Sequence, residues 1–296
     1  MKSTPIAVAA LLLGFSAAVS ASDNNTTQYQ NGSGNTANAE QAYPSTSGST
    51  IEQKQRGDYN VIDAQQRDES DSQIRQVQDG ALNKAGVLQQ GGSNNSIEVY
   101  QTGLNNEVVA TESVSYGDTA KVAQRGYSNS AEIDQVGGVG NTVAIQQRGL
   151  SNSAKTTQNA SYGSRGLTSQ DGSGNDSRIF QSGPVQLADV SQRGDFNNAT
   201  VDQQGNYQAA DIDQSGFSND ATIAQVDWYN SAVVTQDGFF NRAIISQSGA
   251  YGLGGSHLSV VSQSGTLNDA VIIQAGYGES SVVTQIGSGN TTNITQ

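Results

Sequence analysis

Glutamines return every 11 residues across Asn197–Gln247, at Gln203, Gln214, Gln225, Gln236 and Gln247. A chain made of short similar units stacks them, because one unit cannot bury its own apolar face. A second rule holds inside the units. Asn197, Ala199, Val201 and Gln203 are spaced by two, as are Asn219, Ala221, Ile223 and Gln225. Asn230, Ala232, Val234 and Gln236 repeat the spacing, then Asn241, Ala243, Ile245 and Gln247. Alternation over such a run predicts a strand with one distinguished face. Four of these five Gln are followed by x-Gly, at Gly205, Gly216, Gly238 and Gly249, and then a short polar stretch, which predicts a turn. The unit is thus a strand of about seven residues and a turn of about four.

The same rule, carried along the chain, gives about 24 half-units. Asn129, Ala131, Ile133 and Gln135 obey it, with turn glycines at Gly126 and Gly137. So do the final Asn290, Thr292, Ile294 and Gln296, with Gly194 and Gly287 at corresponding turns. Near the N-terminus the units read Ser47, Ser49, Ile51, Gln53 and Ser70, Ser72, Ile74, Gln76, and Glu112 stands in one Gln position. Some steps depart from 11: Gln158 to Gln170 is 12, Gln76 to Gln89 is 13 and Gln247 to Gln263 is 16. The last predicts a bulge around Tyr251 to Gly255. Pro44 and Pro184 fall in turns, where a missing donor does no harm.

Two half-units make a coil of 22 residues, a strand, an arc and a returning strand. The predicted fold is therefore all-β, a two-sheet parallel β-solenoid of cross-β strand-arc-strand coils. Coils stack in register about 4.8 Å apart, with the sheets about 10 Å apart. Facing strands bring Asn opposite Gln and Ala opposite Ile or Val, so small meets large. Inward Asn and Gln are costly to bury alone, but ladders of identical amides satisfy donor and acceptor together. On the outer face Asp189 and Asp211, 22 residues apart, should stack. The outward Ser, Thr, Asp and Glu keep the surface soluble.

Residues 1–21 read as a secretory signal peptide, with Lys2, an apolar run from Ile6 to Phe15, and Val19-Ser20-Ala21 before the cut. Residues 22–296 are expected to form one solenoid with no linker between domains. Gly, at 34 residues, and the scarcity of charge would by themselves suggest disorder, which the strict period opposes. An exported chain without Cys must be held by backbone pairing rather than disulfides. The net charge of −13 argues against a nucleic-acid partner.

The search for reaction chemistry yields no catalytic residue, no metal ligand set and no cofactor. The only His is His257, at an inward Asn-type position, where a structural role is expected. Asp171, Asp195 and Asp237 lie at turns, but the calcium-binding nonapeptide pattern is absent. Trp228, Tyr229, Phe239 and Phe240 face outward in adjacent turns and read as surface or packing residues.

A regular terminal unit leaves strand edges open to another copy, and a head-to-tail contact that does not close gives a filament. The rival reading is a monomeric solenoid, a surface adhesin or ligand-binding module. Segments such as AEIDQVGGVGNTVAIQQRG, ATVDQQGNYQAADIDQSGFSNDATIAQ and SSVVTQIGSGNTTNITQ resemble the curlin repeats of curli, the functional amyloid of bacterial biofilms. That resemblance implies a non-enzymatic, secreted subunit of extracellular, cell-surface fibres that mediate adhesion and aggregation. The partners it implies are further copies of the chain, the other curlin subunit, an outer-membrane secretion pore and accessory factors. It fits a major subunit and a minor nucleator alike. The Gly-rich secretion segment of major subunits has no counterpart between Ser22 and Asn35.

Overall fold

The computed structural model describes residues 23–42, 46–249 and 255–296. The expected signal peptide, Pro44 and all but Gly255 of the expected bulge lie outside them. The strands run β1 (Asn25–Asn31), β2 (Thr36–Ala42), β3 (Thr50–Asp58), β4 (Val61–Arg67), β5 (Gln73–Ala81), β6 (Lys84–Gln90), β7 (Ser96–Leu104), β8 (Glu107–Ser113), β9 (Thr119–Tyr127), β10 (Ser130–Val136), β11 (Thr142–Leu150) and β12 (Ser153–Asn159). They continue as β13 (Arg165–Ser173), β14 (Asp176–Ser182), β15 (Leu187–Asp195), β16 (Asn198–Asn206), β17 (Ala209–Phe217), β18 (Asp220–Trp228), β19 (Ser231–Phe239), β20 (Arg242–Gly249), β21 (Leu258–Thr266), β22 (Asp269–Gly276), β23 (Ser280–Ser288) and β24 (Thr291–Thr295). Odd strands form one 12-stranded sheet and even strands the other. Every pairing is parallel and in register, so the chain is a two-sheet parallel β-solenoid.

Burial follows the alternation predicted from the sequence. In β10 the pattern is exposed, buried, exposed, buried, with Ala131 and Ile133 inside. β-Branched Ile and Val suit this pleated, enclosed slot. Small side chains face large ones across it. A methyl group added at Gly166 would sit 2.9 Å from Thr156 Cγ2 and 3.7 Å from Ile179 Cγ2 on the facing sheet. Thr168 and Ser177 hydroxyls, likewise facing, lie 3.1 Å apart.

The coil is 22 residues only in the C-terminal part. Ladder partners are 23 residues apart from the β3–β5 pair to the β12–β14 pair, and 22 apart from β13–β15 onward. The first coils step by 25 and the step over the 250–254 segment is 27. The extra residue in the 23-residue coils sits in the arc leaving each even strand. It is not extruded. It adds one more inward position, filled by Thr46, Glu69, Ser115 and Ser161, all buried, and by the glycines Gly92 and Gly138 between them. The residue after each of these makes an isolated parallel bridge to the next coil, from Ser47 through Ser70, Ser93, Tyr116 and Val139 to Tyr162.

The N-terminal register also differs from the sequence reading. Gln55 and Gln78, not Gln53 and Gln76, align with Gln101 at the end of the odd strands, while Gln76 lies beside Val99. Either pair of glutamines satisfies a spaced-by-two rule, and only pairing with the next coil decides. With Gln78 as the end of β5, the step to Gln89 becomes regular.

The apolar interior has two parts. One runs from Ile51 to Ala154 and the other from Ile179 to Val283. Between them Thr156, Gly166, Thr168 and Ser177 replace the usual Ala and Ile, at the level where the coil shortens.

Candidate functional site

The distinctive chemistry of this molecule lies in side-chain ladders that run the length of the stack. The odd-sheet glutamine ladder passes from Gln30 through Gln55, Gln78, Gln101 and Gln124 and on to Gln236, Gln263 and Gln285. Each Nε2 donates to the next Oε1, at 2.8 Å from Gln30 to Gln55 and 2.7 Å from Gln263 to Gln285. The even-sheet ladder holds Gln135, Gln203, Gln225, Gln247 and Gln296. The second Nε2 proton goes to a backbone carbonyl on the facing strand: Gln214 to Asn198 O and Gln225 to Ala209 O, each at 2.9 Å. The ladders of identical amides expected from the sequence are present, and the bond across the slot goes to backbone. The glutamine reaches the first carbonyl of the facing strand, one residue past Asn197 or Gln208, because the amide is long enough to cross the slot. That second bond also fixes which end of each amide is the donor.

The asparagine ladder lies where each odd-to-even arc enters its even strand. Asn129, Asn197, Asn219, Asn241 and Asn290 belong to it. Asn219 Nδ2 donates to Asn197 Oδ1 at 3.1 Å, to Ser215 O at 3.0 Å and to Gly238 O at 3.1 Å. Its Oδ1 accepts from the backbone N and Nδ2 of Asn241, both at 3.1 Å. Asn230 sits instead at the start of an odd strand, where the ladder is mixed: Asn95, Asp118, Asn141, Ser164, Gln186, Gln208, Asn230, His257 and Glu279 follow one another. Between the amides, Ala199, Ala221, Ala243, Val201, Ile223 and Ile245 line the even sheet, and Ala232 and Val234 the odd sheet, all buried. Ile294 packs against the same core from the last strand.

The turn glycines divide into two kinds. At Gly216 the backbone has φ +115°, and a methyl group there would lie 2.0 Å from Gly238 O. Gly126, Gly194 and Gly238 are stacked in the same way on the next coil's glycine, and Gly205 on Asp227. Gly249 aligns with Gly276, and Gly287 is the last of its stack. Gly137 differs. It has φ +66° with no atom within 4 Å of an added methyl, because it lies in the longer arc and outside the stack.

Buried acids were not anticipated as a group. Glu69, Glu112 and Asp118 all lie at or beside the longer arcs and are fully enclosed. Burial pushes the Glu112 carboxyl up to about 8, against one stabilising bond from Gln89. It also raises Glu69, against bonds from Ser72 and Asn95, and Asp118, against bonds from Asn141. The sequence signal was present at Glu112, an acid in a Gln register. Glu69 fell outside the strand pattern.

His257 is buried, with Nε2 3.0 Å from Ser248 O and Nδ1 against the Glu279 carboxylate. Outside, Asp189 and Asp211 are register partners, and both are raised by partial burial. Trp228, Tyr229, Phe239 and Phe240 are exposed, and Phe240 packs edge-on to Phe217 with ring centres 5.6 Å apart. Among the described residues no group of three or more His, Asp or Glu side chains has a metal-binding arrangement.

A strand, a glycine arc, a returning strand and a terminal Gln make up the smallest complete piece of this site. Residues 187–214 match the curlin associated repeat. The matched curlin segment spans β15, β16 and β17 up to Gln214, inside the part of the stack where both arcs are short and the coil measures 22 residues. It is a local match within a solenoid whose fold is consistent with the curlin family. No curated protein matches the chain significantly.

Proposed function

We propose that this chain is a secreted structural subunit that adds end to end to form curli-type fibres of a biofilm matrix. The observation that carries the reading is the direction of the ladders. Within the two glutamine ladders the side-chain bonds run from Nε2 of one coil to Oε1 of the next coil toward the C-terminus. The first rung therefore presents glutamine oxygens and the last rung glutamine N–H groups, while the asparagine ladder runs in the opposite sense. β1, exposed at every residue, and β24 are edge strands at opposite ends. A second copy stacked in the same sense continues both sheets and both ladders, whereas a reversed copy sets donor against donor. The local curlin-repeat match supports the same reading.

Adhesion, export through a secretion pore and pairing with another curlin subunit belong to this proposal. The test is time-resolved thioflavin fluorescence and electron microscopy on purified chain lacking residues 1–21. Fibres that form after a lag, and without the lag when seeded, are the expected result. A soluble monomer that persists at high concentration would overturn it and favour a solenoid binding module. A proline at Ala221 should abolish both the fold and the fibres, since it removes a ladder donor inside a central strand.

A further inference from the structure

We propose that Glu112 takes up a proton as the chain folds and donates it from Oε1 to Gln135 Oε1, closing the gap in the even-sheet ladder. The geometry is specific. From Gln41 to Gln296 each neighbouring pair of this ladder is joined by a hydrogen bond from a side-chain amide N–H, between 2.8 and 3.1 Å, except the pair Glu112 and Gln135. Gln89 Nε2 donates to Glu112 Oε2 at 2.9 Å, so the acid is correctly placed as an acceptor from the coil before. It has no N–H to pass on. Glu112 Oε1 and Gln135 Oε1 are consequently both buried without a partner, on register-matched residues of adjacent strands.

Two acceptor oxygens enclosed on neighbouring rungs is an arrangement that desolvation penalises. One proton on Glu112 converts them into a donor and an acceptor. The neighbouring ladder residues on β6 and β10, Gln89 and Gln135, are neutral. The charged groups that act on Glu112 from the arcs are Asp118 and Glu69, both acidic. They disfavour a second negative charge.

The consequence is a pH dependence with a defined sign. An exposed carboxyl loses its proton near its ordinary value of 4.5, whereas the folded chain keeps it to about 8. Between those values the folded state holds the extra proton, so stability falls as pH rises, by about tenfold in the folding equilibrium per pH unit. Below 4.5 the contribution is fully present and above about 8 it has been lost. Glu69 and Asp118 are displaced in the same direction and add to the slope.

The test compares urea unfolding of the wild type and Glu112→Gln across this range. The amide in Glu112→Gln donates to Gln135 without needing a proton. Its stability should therefore fall less steeply with pH, by about one proton's worth of slope, and exceed the wild type's near the upper limit. Equal slopes would overturn the proposal. A measurement on the wild type alone keeps it falsifiable. Refolding in weak buffer at about pH 6.5 should take up at least one proton per chain, read with an indicator dye. Refolding without uptake would also overturn it.

Discussion

The N-terminal and C-terminal parts of the solenoid use the same strands but different arcs. From β3 up to Ala154 the even-to-odd arcs carry an extra inward residue, and the coil measures 23 residues. From Ile179 onward the regular coils have two short arcs and measure 22. The longer arc widens one corner of the slot, and that corner holds Glu69 and Asp118, with Glu112 at its entrance. The outer surfaces differ too. In the N-terminal part Glu132 pairs with Lys155 at 2.7 Å on the even sheet, and Glu52 with Arg75 at 3.1 Å and Glu98 with Lys121 at 3.0 Å on the odd sheet. The corresponding odd-sheet row further on carries Val233, Val260 and Val282. The difference teaches that the strand interior fixes the fold, while the arc sets how much polar chemistry a coil can enclose.

The largest effect should come from the glycines. Gly216→Ala drives a methyl group into the Gly238 carbonyl at a φ that side chains avoid, and should cost more than ~4 kcal/mol or prevent folding. Gly137→Ala meets open space at φ +66° and should cost only ~1–2 kcal/mol. Urea midpoints for the two variants check this; equal costs would mean that the two arcs do not differ as described.

Next come the paired core truncations Ile133→Ala and Ile245→Ala. Both side chains are fully buried, and each change should cost ~2–5 kcal/mol. Because the strand interior is common to the two parts, the costs should agree closely. A large disparity in thermal or urea melts would show that the slot itself differs.

At the junction the sign reverses. The Thr156 hydroxyl is buried without a partner, so Thr156→Val should stabilise the chain by ~1 kcal/mol and join the two apolar clusters. A single sharper unfolding transition in calorimetry would accompany it. The smallest effect is at the surface. Lys155→Ala removes a half-exposed ion pair and should cost no more than ~1 kcal/mol, shrinking further in high salt.

Much of this was legible from residue spacing, because alternation in a strand is a local property. Asn219, Ala221, Ile223 and Gln225 announce their inward parity without knowledge of any neighbour. What was not legible depends on the adjacent coil. Ser49-Ile51-Gln53 fits the repeat rule whether Gln53 or Gln55 ends the strand, and only the bond from Gln78 to Gln101 settles the alignment. Glu69 was hidden for a related reason. It turns inward from an arc, where no two-residue rule applies. Glu112 could be seen as a replacement for Gln, but its proton becomes an issue only once Gln135 Oε1 is found enclosed beside it.

One line of backbone has a consequence for how such a rod comes into being. Tyr59, Leu82, Phe196, Phe240 and Leu267 all adopt φ between 56° and 59°, one to a coil. Each costs roughly 1–2 kcal/mol in isolation. Each is held by a bond from its own N–H to the preceding coil, as from Phe240 to Phe217 O at 3.0 Å. A solitary loop of this chain has nothing to lean on and will not keep its shape. A loop laid against a finished one does, so the structure is cast layer by layer, with each completed layer serving as the mould for its successor.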